Sequence, residues 1–188
     1  MTRSLPRLAC ALALCAAAAL ASAAEIDPGA SQIGFVVRTR WGRVMQGRFP
    51  EYRGEVSELA DGRHRVHLSL ATRSVEIVGH QSYTRFTRGS GFFDAAHYPL
   101  LEFVSDAYTP ELLRHGGALP GTLTIRGVRR REVFTVDAAP CPRPAHDCDV
   151  VATGIVRRSD YGLDRWSFAL ADKVRFSLRV RVRGPSGA

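Results

Sequence analysis

The stretch "KVRFSLRVRVRG", residues 173–184, decides the fold. Val174, Phe176, Leu178, Val180 and Val182 alternate along it with Arg175, Ser177, Arg179, Arg181 and Arg183. Successive side chains of an extended chain point to opposite faces, so the apolar residues share one face and the arginines the other. A helix would scatter both sets around its axis. The segment is a half-buried strand, and its apolar face must meet something.

The same period of two recurs upstream. "QIGFVVR" (32–38) aligns Ile33, Phe35 and Val37, and "RVHLSLA" (65–71) aligns Val66, Leu68 and Leu70. "LEFVS" (101–105) offers Leu101 and Phe103, and "GTLTIRG" (121–127) offers Leu123 and Ile125. "EVFTVDA" (132–138) and "VVATGIVRR" (150–158) continue the series. Trp41-Gly42, Asp61-Gly62, Gly116-Gly117 and Gly127 punctuate these runs as turns. Residues 79–98, "GHQSYTRFTRGSGFFDAAHY", lack alternation and read as one short helical segment from His80 to Arg88, ended by Gly89 and Gly91. Many short strands with one helical interruption predict an all-β antiparallel sandwich or barrel. A sandwich packs its inner faces together, whereas a barrel of about eight strands can hold one small ligand. Periodicity does not choose between them.

The N-terminus addresses the compartment. Arg3 and Arg7 precede an apolar run from Leu8 to Leu20 and then "ASAAE" (21–25). This is the layout of a secretory signal peptide over residues 1–24, cleaved after Ala23 or Ala24. The apolar run is too short to span a bilayer. Residues 25–188 then form a single domain in the periplasm. The 26 basic residues fall to 24 with the loss of Arg3 and Arg7, against 18 acidic ones, for a net charge of +6.

Cys10 and Cys15 leave with that segment, and Cys141 and Cys148 remain inside "PCPRPAHDCD" (140–149). Two cysteines in an oxidising compartment favour a disulfide. The rival is a metal site, because His146, Asp147 and Asp149 lie beside the thiols. No HExxH, GxSxG or GxGxxG pattern accompanies the histidines. His80 and His97 bracket the irregular segment, and an acid–base pair there requires them to converge at a barrel mouth. The arginines of "RGVRRRE" (126–132) and "RVRVRG" (179–184) suit phosphate contacts, but the aromatics fall on apolar faces and not among them. They read as solvated outer faces, with loose transient attraction to an anionic membrane surface and not as a nucleic-acid interface.

A set of segments in fixed order carries a family resemblance. "IDPGASQIGFVVR" (26–38), "GRFPEYRGEV" (47–56), "RSVEI" (73–77), "SGFFDAAHYPLLEFVS" (90–105), "GTLTIRGVRR" (121–130), "RRSDYGL" (157–163) and "DKVRFSLRVRV" (172–182) together resemble the YceI-like family of lipid-binding barrel proteins. The resemblance implies a lipocalin-like antiparallel barrel, open at one end, that binds a polyisoprenoid such as an isoprenoid quinone, or a fatty-chain lipid. It also implies periplasmic location, no enzymatic activity, no cofactor and a candidate homodimer. The family commonly shows a His after the first strand, where this chain has "RTRWG" (38–42), and an Asp before the paired phenylalanines, where it has Gly91.

The expected cavity lining is the inward face of each strand: Ile33, Phe35, Val37, Val66, Leu68, Leu70, Leu101, Phe103, Leu123, Ile125, Val174, Phe176 and Leu178. Phe92 and Phe93 join it, one entering the mouth and the other packing under the helical segment. Asp94 is placed to cap the turn 95–97, and Arg158 to pair with Asp160 in an exposed turn. The expected function is binding, sequestration or transport of a long-chain amphiphilic lipid without catalysis. The alternatives are a solid-cored structural or stress-response barrel, and a minor enzyme acting on a bound lipid.

Overall fold

The computed structural model describes residues 23–183. Eleven strands and two short helices follow one another: β1 (Ala23–Glu25), β2 (Gln32–Thr39), β3 (Val44–Arg48), β4 (Tyr52–Glu58), β5 (His64–Ala71), β6 (Glu76–Ile77), α1 (Gln81–Arg88), β7 (Leu100–Ser105), α2 (Glu111–His115), β8 (Gly117–Ile125), β9 (Val128–Val136), β10 (Val150–Arg157) and β11 (Leu170–Val180). All the strands form one antiparallel sheet in the order β1-β4-β5-β7-β8-β9-β10-β11-β2-β3-β6. Most of the expected signal-peptide segment, residues 1–22, lies outside the described residues.

The closed barrel of about eight strands is corrected to a curled, open sheet of eleven. Its edges are β1 and β6, three and two residues long, too short to form a ladder that seals the ring. One end nevertheless comes together. Ile26 bridges to Val182, Asp27 N–H donates to the Arg181 carbonyl at 2.8 Å, and Arg183 N–H donates to the Glu25 carbonyl at 2.8 Å. That end is also plugged by the cysteine loop. Cys141 and Cys148 form a disulfide, the buried Ala145 between them takes φ 67°, and its carbonyl accepts Val182 N–H at 3.0 Å. Asp147 pairs with Arg143 and Asp149 with Arg181. Among the described residues no cluster of three His, Cys, Asp or Glu side chains is placed to hold a metal.

Two features curl the sheet tightly. Aromatic rings lie against glycines of adjacent strands: a Cβ on Gly47 would fall 2.1 Å from Phe35 Cζ, and one on Gly121 would fall 2.5 Å from Phe103 Cζ. Bare backbone at these points lets the rings fill the interior without pushing the strands apart. The register of β11 against β2 also shifts between Leu170 and Val174, a bulge that bends the long last strand. Arg126 (φ 50°) and Gly127 (φ 75°) make the two-residue turn of the β8–β9 hairpin, both positive as a type I′ turn requires.

The expected helical segment is α1, with His80 just outside its first turn and Gly89 at its end. The second helix, α2, was not anticipated; five residues after Pro110 show no period of their own, and Gly116 at φ 73° stops them.

Candidate functional site

Inside the curled sheet the apolar space is divided in two. Toward the plugged end lies a small cavity of about 90 Å³, enclosed by Ile33, Val66, Leu68, Leu70, Leu101, Phe103, Leu123, Leu178 and neighbours that include Leu119, Phe134, Val136, Ala145 and Val182. Toward the other end opens a chamber of about 820 Å³, lined by Phe35, Val37, Phe92, Phe93, Ile125, Val174 and others. Phe176 borders both. Its ring packs on Phe35 with centroids 5.9 Å apart, Phe35 packs on Phe49 at 5.7 Å, and Phe49 packs edge-on to Phe93 at 5.8 Å. Phe35, Phe93 and Phe176 form the floor of the large chamber, with Phe49 packed behind them. A mainly apolar cavity of this size is within the range of small-molecule sites.

Each strand-face residue expected to line the interior therefore borders one of the two spaces, in register blocks. Of these expected residues, those on β5 and β7, with Ile33, Leu123 and Leu178, line the small cavity, whereas Phe35, Val37, Ile125 and Val174, nearer the mouth, reach the large one. Phe92 and Phe93 both face the large chamber: Phe92 lies under Phe86 of α1 at 5.4 Å, and Phe93 joins the floor.

Several chamber residues escaped the alternation reading. Trp41, Val44 and Met45 come from the β2–β3 turn and β3; Tyr83 and Phe86 from α1; Tyr161, Leu163 and Trp166 from the connection between β10 and β11. The helix and this connection roof the chamber, with Phe86 against Trp166 at 4.7 Å. Trp41 (74% exposed) and Phe168 (68%) stand out from the rim.

The least expected lining residue is Arg158. Its assumed partner Asp160 is not its partner. Val150, Ala152, Gly154 and Val156 face inward on β10, and Arg158 continues that parity one step past the strand. Only 5% exposed, it donates from Nε to the Ala171 carbonyl at 3.1 Å and from Nη1 to the Leu163 carbonyl, and lies 5.7 Å from the centre of the Phe92 ring. The β11 bulge frees the Ala171 carbonyl to accept. Burial lowers the guanidinium's pKa from its usual value, with Asp172 and Asp164 opposing that fall from a distance. Asp172 itself is engaged by Ser159 N–H at 2.9 Å and Ser159 O–H at 3.0 Å. Burial opposes its ionisation, but these bonds hold its carboxyl below the usual range.

Next to it, the fully buried Tyr161 donates to Glu132 at 2.8 Å; burial first, and that bond second, push its pKa up. The histidine pair expected at the mouth does not assemble as a reactive pair. His80 lines the chamber and stacks on Tyr83 at 5.2 Å, whereas His97 is exposed, does not line the chamber, and bonds to Asp94 Oδ1 at 2.9 Å. Asp94 caps through its backbone, its carbonyl accepting His97 N–H and Tyr98 N–H, while its side chain is taken by the imidazole.

A curled antiparallel sheet around a roofed apolar chamber is a lipocalin-like architecture. Residues 25–182 match the YceI-like domain, and the chain belongs to the YceI-like family. It is similar to Burkholderia cenocepacia BcnA at 22% identity and TM-score 0.67, over 85% of this chain and 99% of that one. A polyisoprenoid binding domain from Saccharophagus degradans, implicated in plant cell wall breakdown, is similar at 14% identity and TM-score 0.67, over 88% of this chain and all of that one (100%). A Campylobacter jejuni YceI protein is similar at 19% identity and TM-score 0.55, over 74% and 85% of the two chains. No curated protein matches the sequence.

Proposed function

We propose that this protein binds a long-chain amphiphilic lipid, isoprenoid-like chains included, in the large chamber and sequesters or transports it in the periplasm without making or breaking bonds. The observation that carries this is the 820 Å³ apolar space with an aromatic floor and a mouth at the α1 end. At about 30 Å³ per water-sized group, that volume holds about 27 such groups, the bulk of a single chain of about as many carbons. Burial of a chain at about 0.8 kcal/mol per methylene is enough for tight binding after ordering costs. Family membership and the likeness to a polyisoprenoid binding domain support the same ligand class. A solid-cored barrel describes only the plugged half.

Export fits the chain's first residues. Cleavage after Ala23 or Ala24 shortens β1 but leaves Glu25 opposite Glu55 and the Ile26–Val182 bridge. Delivery is assigned to the rim. Trp41, Val44, Val78, Tyr83, Phe86 and Phe168 are exposed there, and α1 and the surrounding loops present Arg40, Arg43, Arg85 and Arg165 against one acid, Asp164. The strand-face arginines Arg179, Arg181 and Arg183, in contrast, are paired with Asp149, Glu25 and Asp27. Apolar side chains ringed by unneutralised cations suit an anionic bilayer surface.

The test is native mass spectrometry of protein purified from its own periplasm without detergent, followed by solvent extraction. A stoichiometric extra mass that extracts as a lipid is the expected result. A bare polypeptide that also fails to take up added lipid would refute the reading.

A further inference from the structure

Thr39, Arg43, His80, Ser82 and Thr87 add polar groups to the chamber's apolar lining, but its one buried charge is Arg158. Arg158 brings a positive charge into it and finds no carboxylate within ion-pair distance among the described residues. A guanidinium has five N–H donors. Two acceptors are present, the carbonyls of Ala171 and Leu163, which engage Nε and Nη1. Nη2 has no protein acceptor and, unlike Trp166 Nε1, is not sealed off from open space, as suits a residue on the chamber wall. A buried charge satisfied only by neutral carbonyls and a ring face leaves much of its desolvation uncompensated.

The position is also chemically selective. Arginine keeps its charge in proteins and offers a planar fork that fits the two oxygens of a carboxylate or phosphate. The two carboxylates that act on it do not pair with it: Asp172 is held by Ser159, and Asp164 is exposed and makes no ion pair with Arg158. Because the Ala171 and Leu163 bonds fix Nε and Nη1, the free edge of the guanidinium is held in one orientation.

We propose that Arg158 is the head-group anchor of the chamber, binding the anionic oxygens of a carboxylate or phosphate at the end of a single-chain lipid whose tail lies along the floor of Phe35, Phe93 and Phe176. This rests on the chamber being a lipid site. It adds that the preferred ligand is an anion and that the head group is held inside the wall and not left in solvent. The two bonds to carbonyls tie the β11 bulge to the turn after β10, so Arg158 also has a structural role, and the test must separate the two.

Two matched pairs of probes do so: oleate against oleyl alcohol, and geranylgeranyl phosphate against geranylgeraniol. Dissociation constants are measured for the purified protein and for Arg158→Gln and Arg158→Lys. The expected result is at least a tenfold preference for the acid over its alcohol in one or both pairs; the pair with the larger preference tells carboxylate from phosphate. Arg158→Gln brings the ratio of acid to alcohol affinity to about one, whatever it does to both affinities together, and Arg158→Lys keeps part of the preference. Equal binding of acid and alcohol by the unsubstituted protein overturns the anchor and leaves the lipid site standing. Failure of all four probes to bind overturns the lipid site, and the anchor with it.

If Arg158→Gln does not fold, the unsubstituted protein still decides. Oleate labelled with ¹³C at its carboxyl, titrated in the complex, stays ionised to lower pH than the free acid if it sits on Arg158. An apolar wall alone would raise its pKa instead, and a raised value overturns the proposal.

Discussion

Truncation of Phe176 to alanine joins the two cavities, because that ring borders both the chamber and the 90 Å³ space beneath it. At about 30 Å³ per water-sized group, the smaller space adds room for about three more chain carbons. Three methylenes at about 0.8 kcal/mol each amount to about 2.4 kcal/mol, or roughly a 50-fold change in affinity at 1.4 kcal/mol per decade. The variant loses the ring's packing on Phe35, 5.9 Å away, at a cost of about 3–5 kcal/mol in folding stability. The assay is a chain-length series of saturated fatty alcohols, read by displacement of a fluorescent lipid probe, with thermal melting run alongside. For Phe176→Ala the tightest-binding length moves up by about three carbons. The control is Phe134→Ala, which lines only the small cavity: it destabilises similarly without moving the optimum. An unchanged optimum in a folded Phe176→Ala protein would refute the partitioned-cavity reasoning.

Val78→Ser with Phe168→Ser removes two exposed rim residues that do not line the chamber; binding to vesicles rich in anionic phospholipid, followed by sedimentation, is expected to fall several-fold while binding of soluble oleate is unaffected. Trp166 Nε1 is the one buried side-chain nitrogen or oxygen without an acceptor among the described residues, and a Cβ at Gly91 would lie 3.5 Å from it. Gly91→Asp places a carboxylate in reach of that N–H and of Arg165, and is expected to raise the melting temperature, with a gain of about 1 kcal/mol; a lower melting temperature contradicts this geometry. Burial pushes Tyr108 from the ordinary 10.0 up to about 12. The folded state then holds that proton more tightly than the unfolded chain, so the stability it confers is complete below pH 10 and is lost as pH rises toward 12. Denaturant titrations at pH 8 and 11 should show Tyr108→Phe nearly neutral at the lower pH and less alkali-sensitive than the parent at the higher.

Strand faces were legible wherever both members of the alternation were bulky, as in Phe35 with Val37 or Phe103 with Leu101. β3 was opaque for the complementary reason: of its inward residues Met45 and Gly47, Gly47 carries no hydrophobic signal, because Phe35 from the next strand fills its place. Closure was not legible at all. It depends on how short β1 and β6 are and on one bridge, Ile26 to Val182, between residues far apart in sequence. In the site, Phe92 and Phe93 were placed at the mouth from the sequence, but Trp41, Tyr83, Phe86 and Trp166 were missed because they come from a turn, a helix and a connection, none with period two. Arg158 was missed by following chemistry over geometry: charge suggested a surface turn, while the parity of Val150 to Val156 already pointed it inward.

The pairing of β2 with β11 sets an order of events in folding. β2 is made near the start of the chain and its partner at the end, with Val37 opposite Val174 and Ile33 opposite Leu178. Such remote contacts are slow to form, since a long loop must close before any of them contributes. A chain emerging from its N-terminus can assemble β4 through β9 by neighbouring hairpins, but β2 and β3 wait with one edge unpaired. The partition Phe176 and the plug's anchor Val182 arrive in the same last segment. The cavity is therefore the final part of the molecule to exist, and any truncation before Leu170 removes the binding site as a whole while leaving a run of paired strands behind.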